Sequence, residues 1–60
     1  MKRYEVDGGY ERYFINGWEE GRGYFYSVGS FTPQEVNKMK RGETVTYNGN
    51  EFRIERTEVE

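Results

Sequence analysis

Phe31-Thr32-Pro33-Gln34-Glu35-Val36-Asn37-Lys38-Met39-Lys40-Arg41-Gly42-Glu43-Thr44-Val45-Thr46-Tyr47-Asn48-Gly49-Asn50-Glu51-Phe52-Arg53-Ile54 is the stretch from which the fold is read. Thr32 is suited to cap a helix, Pro33 to occupy its first position, and Glu35 to complete a capping box three residues after the cap. Phe31 and Val36 have the spacing of a hydrophobic staple. Lys38, Lys40 and Arg41 complement the negative end of the helix dipole, and Gly42 supplies a stop. The spacing predicts a two-turn helix over 33–41, with Val36 and Met39 on its apolar face and Phe31 alongside. Asn48-Gly49 is the preferred dipeptide of a type I′ hairpin turn. It sets Val45 opposite Phe52 and Tyr47 opposite Asn50. Val45, Tyr47, Phe52 and Ile54 then share one face, while Thr44, Thr46, Glu51, Arg53 and Glu55 share the other, so one face is buried and one is wet. Residues 57–60 read as a frayed acidic end.

Working towards the N-terminus, residues 24–28 alternate as a third strand, closed by Gly29-Ser30. Trp18-Glu19-Glu20-Gly21-Arg22-Gly23 reads as a loop rather than a hairpin arm, because Gly17, Gly21 and Gly23 crowd it. Asn16-Gly17 is a turn signal. Residues 10–15 form a second strand and residues 3–6 a first. A two-residue Gly8-Gly9 turn would place Glu5 opposite Arg12 and Tyr4 opposite Tyr13, both favourable pairs. The expected fold is therefore α+β: a small antiparallel sheet of about five strands with one short helix, in the order β-β-β-α-β-β, as a single domain over 1–60.

Composition limits the function. Sixty residues bury a thin core. There is no Cys and no His, and the formal charge is −2, with Lys and Arg interleaved among the carboxylates. That excludes a disulfide framework, a thiolate metal site and the commonest general base, and a mixed surface of this kind exerts no long-range pull on a polyanion. No apolar run has the length of a membrane span or a signal-peptide core, and a cytoplasmic location is expected. Ser27 and Ser30 lack a His base, and Lys38 and Lys40 fall on the helix surface by pattern. Glu19 and Glu20 diverge if extended, and no calcium-loop motif or other metal-ligand spacing is present. Gly21-Arg22-Gly23 leads into a predicted strand, so no helix start is expected there for an anion. No catalytic residue, metal or cofactor is expected, and the chain reads as a non-enzyme.

The rings are in surplus. Six Tyr, four Phe and one Trp make up 18% of the chain. Tyr13 and Ile15 point to one side of their strand and Tyr10 and Phe14 to the other. In 24–28, Tyr24, Tyr26 and Val28 oppose Phe25. One short helix does not cover both faces. The second face is covered by the sheet curling into a barrel, by a second copy in a homodimer, or by a foreign protein. Trp18 is either a ring tucked onto the sheet or an exposed hot spot. The expected partner contacts are Trp18, Tyr10, Phe14 and Phe25, with the charges Glu19, Glu20 and Arg22.

Two resemblances add expectations. Arg22-Gly23-Tyr24-Phe25-Tyr26-Ser27-Val28 resembles the basic-Gly-aromatic-x-aromatic strand of RRM and cold-shock domains. That implies single-stranded nucleic-acid binding, with Tyr24 and Tyr26 stacking on bases and Arg22 touching phosphate. Thr32-Pro33, Glu35-Val36, Gly42-Glu43 and Asn48-Gly49 resemble, in style, the second halves of small phage-encoded accessory proteins. That resemblance implies an inhibitor that occupies the surface of a host enzyme or anti-phage defence complex. A structural subunit of a larger assembly, its rings facing neighbours, is the third reading.

Overall fold

The computed structural model describes residues 3–58. The elements are β1 (Arg3–Val6), β2 (Gly9–Ile15), β3 (Trp18–Glu20), α1 (Arg22–Val28), α2 (Pro33–Lys40), β4 (Val45–Tyr47) and β5 (Asn50–Glu58). They form one five-stranded antiparallel sheet and two short helices, an α+β arrangement. The path β1-β2-β5-β4 is open rather than closed into a barrel. β3 lies on the same edge of β2 as β1: β1 pairs with Gly9 to Arg12, and β3 with Tyr13 to Ile15.

The C-terminal half follows the local signals. Thr32 Oγ1 accepts from the Glu35 amide at 3.2 Å, and Glu35 Oε1 accepts from the Thr32 amide at 2.9 Å, which closes the capping box. α2 ends with Arg41 as its cap; Gly42 adopts φ 94°, and the Glu43 amide returns to the Lys38 carbonyl at 3.1 Å. That is the left-handed stop for which glycine is preferred. Asn48-Gly49 turns with φ 52° and 82°, and Val45 pairs with Phe52 and Tyr47 with Asn50. Asn16-Gly17 makes the same kind of turn, with φ 51° and 84°. Its Asn16 ties two hairpins together. The Asn16 backbone amide donates to the Glu51 carbonyl at 2.8 Å, and its side-chain oxygen accepts from the Glu51 amide at 2.9 Å.

Four expectations are corrected. Residues 24–28 are not a strand but most of α1, so the order gains a helix and becomes β-β-β-α-α-β-β. The fifth strand is β3, in the stretch expected as a loop: the Asn16-Gly17 turn sends Trp18 back to pair with Ile15. The first hairpin turns on Asp7-Gly8, with Gly8 at φ 84°, giving Val6 opposite Gly9, Tyr4 opposite Glu11 and Glu5 opposite Tyr10. Tyr4 thereby shares a face with Tyr13, and the rings meet edge-on at 5.6 Å. Residues 57 and 58 are not frayed; they pair with Tyr10 and Gly9, while residues 59 and 60 lie outside the described part.

The core explains the first correction. Tyr13, Ile15, Phe25, Met39, Phe52 and Ile54 are buried together, with Tyr4, Val28, Phe31, Val36 and Val45 around them. α1 has poor local credentials. Its cap is Gly21, with no side-chain cap bond, no acid in its first turn and no base in its last. What holds it is Phe25, fully buried and meeting Tyr13 at 5.1 Å, Phe52 at 5.3 Å and Phe31 at 5.7 Å. As a strand, residues 24–28 would present rings on two sides; as a helix they send Phe25 and Val28, three apart, to one. Tertiary burial outweighs the weak helix propensity of the segment. Gly29 lets the chain turn from α1 towards α2, since a Cβ there would collide with the Phe31 ring.

The far face of the sheet is covered from within. Phe14 is buried beneath Arg12 and Arg53, whose guanidiniums lie 5.2 and 4.3 Å from the ring centroid. Arg12 pairs with Glu19 at 2.8 Å and Glu55 at 3.1 Å, and Arg53 pairs with Glu55 at 3.3 Å. Such half-exposed ion pairs contribute little each. Their arginine stems nonetheless shield the ring, and its π face attracts both guanidiniums.

Candidate binding surface

β3 and α1 carry the exposed rings. Trp18 stands opposite Ile15 and so emerges on the helix-bearing side of the sheet, where it is 75% exposed. Of its two expected roles, the tucked anchor is not what the structure places there. On α1, Tyr24 is 57% and Tyr26 39% exposed. Tyr26 is the anchored one, its ring 5.1 Å from Phe25 and 5.7 Å from Tyr13. Partial burial, and then the charge of Glu11, push the Tyr26 hydroxyl above its ordinary pKa.

The remaining expected contacts divide. Phe25 is withdrawn into the core and Phe14 lies under its arginine lid, so neither offers a surface. Tyr10 is half-buried, with the Arg3 guanidinium 4.4 Å from its ring centroid. Glu19 is engaged by Arg12 on the far face, whereas Glu20, opposite Tyr13, is half-buried on the helix side. Arg22 is exposed and stacks over Tyr4 at 4.8 Å. Gly21-Arg22-Gly23 does open a helix, contrary to the sequence reading, but the Arg22 amide already donates to the Tyr4 hydroxyl at 2.9 Å. Ser27 is spent on the Tyr24 carbonyl, to which its hydroxyl donates at 2.8 Å.

The sequence reading missed one cluster. Glu11 is 2% exposed, the one buried charged side chain among the described residues. The Tyr13 hydroxyl donates to its Oε1 at 2.8 Å, and Oε2 faces Arg56 Nη1 at 3.4 Å and Lys40 Nζ at 3.9 Å. Burial, followed by the hydrogen bond to Glu11, drives the Tyr13 hydroxyl far above its ordinary pKa. A buried tyrosine held in its protonated form is a fixed donor to the carboxylate, which makes the cluster a structural tie between β2, β5 and the end of α2. The signal was available: Glu11 has the same parity as Tyr13 and Ile15, so it had to point into the core. Among the described residues no three acidic side chains converge to hold a metal ion, and no helix is long and apolar enough to cross a membrane.

Comparison with protein-family models, curated proteins and solved structures finds no match.

Proposed function

We propose that the protein is a non-enzymatic protein-binding module that engages its partner through Trp18, together with the α1 rings Tyr24 and Tyr26. The observation that carries this reading is the 75% exposure of Trp18 on a paired strand. A large ring on regular structure loses little freedom on binding, and tryptophans in such positions dominate interface energies. Glu20 and Arg22 supply the polar rim. A chain with this equipment acts by occupying a surface, the mode of the small phage inhibitors that its second half resembles, and the proposed target is a host enzyme or defence complex. The base-stacking strand is not carried forward, because Tyr24 and Tyr26 lie on a helix. Nor is the homodimer, whose motive was an uncovered second face.

Capture from bacterial lysate with and without nuclease tests the proposal. The wild-type chain is expected to retain one stoichiometric protein after nuclease. Trp18→Ala, at a surface position that costs within about 0.5 kcal/mol of stability, is expected to lose it. Captured material that vanishes with nuclease, or a partner that Trp18→Ala retains, overturns the proposal.

A further inference from the structure

A second surface, separate from the rings, lies along β5. Its nine residues outrun their neighbour: β4 pairs only with Asn50 to Phe52. The two-residue turn makes Tyr47 and Asn50 a hydrogen-bonded pair, and the Glu51 carbonyl accepts from Asn16 on the β2 side. Backbone directions alternate along an antiparallel strand. Ile54, Arg56 and Glu58 therefore aim their N–H and C=O groups away from β2, and among the described residues no backbone group pairs with them there. At about 3.4 Å per residue, residues 53–58 present roughly 20 Å of open edge. β1, β3 and β4 have only four, three and three residues.

The β5 edge also has a wall. The end of α2, at Lys40, Arg41 and Gly42, faces Ile54, Arg56 and Glu58 across a groove of about 310 Å³. Four cations line it, Lys40, Arg41, Arg53 and Arg56, against two carboxylates, Glu55 and Glu58. The chain as a whole is acidic, at −2. Arg56 is pinned in place by Glu58 at 2.7 Å, by the Asp7 carbonyl at 2.9 Å and by Glu11 at 3.4 Å. Lys40 and Arg41 are held more loosely, 3.9 Å from Glu11 and 3.6 Å from Glu43. An ordered edge beside two loosely held cations suits an incoming strand that carries carboxylates.

We propose that the β5 edge binds an extended acidic peptide segment as an added strand, its backbone paired with Ile54, Arg56 and Glu58 and its carboxylates meeting Lys40 and Arg41. A second copy of the chain fits less well. Outward-facing residues pair only with outward-facing residues, so a two-fold axis must pass through a single β5 position. At Glu55 or Arg56 it sets like charges opposite each other, which is destabilising. At Ile54 it drives the end of the copy's strand into β4. At Thr57 it leaves only residues 56–58 in the described ladder.

The probes are two capped hexapeptides, acetyl-(Val-Glu)3-amide and acetyl-(Val-Lys)3-amide, titrated into the isotope-labelled chain. The Val-Glu peptide is expected to shift the amide resonances of Ile54, Arg56 and Glu58 and to slow their hydrogen exchange, in wild type and in Trp18→Ala alike. The Val-Lys peptide is expected to leave them unchanged. Arg41→Glu is expected to weaken the Val-Glu response about fivefold, the size of one partly exposed charge contact. Chemical synthesis with N-methyl-arginine at 56 removes one outward donor and is expected to abolish the response without changing the unfolding midpoint. Equal response to both peptides, response retained by the N-methylated chain, shifts centred on Trp18, no response at millimolar peptide, or a doubled mass of the free chain would each overturn the proposal.

Discussion

Replacing Tyr13 by Phe tests the buried tie between the two central strands with the loss of one oxygen. The ring keeps its place among Tyr4, Phe25 and Tyr26, and only the hydroxyl that donates to Glu11 at 2.8 Å disappears. A hydrogen bond to a charged group is worth about 1.5–3 kcal/mol. Glu11 keeps Arg56 and Lys40 at its other oxygen, so the lower half of that range, about 1.5–2 kcal/mol, applies. A chain of this length has a total stability of about 3–9 kcal/mol, so the change removes about a sixth or more of it. With a urea dependence of about 1 kcal/mol per molar, the unfolding midpoint at pH 7 falls by roughly 1.5–2 M.

The same hydroxyl has a signature in pH. Its folded pKa is raised, first by burial and then by Glu11, so the fold favours the protonated form. The stabilisation is fully present below the unfolded tyrosine value of about 10 and drains away as pH rises beyond it. Wild type is therefore expected to lose stability steadily above pH of about 10, and Tyr13→Phe to lose much less. Tyr26, also raised by burial, leaves a shallower residual slope that Tyr26→Phe removes. Urea unfolding followed by circular dichroism at several pH values reads both effects. A Tyr13→Phe midpoint within about 0.5 M of wild type, with an unchanged alkaline slope, would refute the assignment of the Glu11–Tyr13 bond as a net stabilising tie.

Other substitutions test the corrected elements. Phe25→Ala empties the centre of the ring cluster at a cost of about 3–5 kcal/mol, comparable to the whole stability. Loss of a cooperative thermal transition is expected, and a transition retained within a few degrees would show that α1 does not depend on this ring. Gly9→Ala drives a Cβ into the Thr57 carbonyl, whereas Gly17→Ala meets open space and costs only its positive φ of 84°. Amide exchange is expected to accelerate along residues 55–58 in Gly9→Ala and not in Gly17→Ala, and equal effects would contradict the close approach of β2 and β5.

Much of the candidate surface was named from the sequence, but not its state. Trp18, Glu20 and Arg22 are on the helix side as available groups, while Phe25 and Phe14 are not. Whether a ring is anchor or surface depends on what folds over it: the Asn16-Gly17 turn makes Ile15 the partner of Trp18 across the hairpin, but no local signal says whether another element covers that pair. Glu11 was passed over because a lone Glu in a polar strand looks solvated until its cations arrive from residues 40 and 56, far along the chain.

What the sequence by itself determined is the set of features whose causes lie within a few residues. The capping box at Thr32, the stop at Gly42 and the Asn48-Gly49 turn close with bonds inside their own segments, and the turn carries the register and faces of β4 and β5 with it. The tertiary structure alone decided the rest. Residues 24–28 alternate as well as any strand, yet they coil because the sheet has a greasy face to cover and Phe25 reaches it best from a helix. On the far face Arg12 and Arg53, from two strands, close over Phe14. In both cases the free energy comes from surfaces brought together across the chain, and local propensity is too small to oppose it.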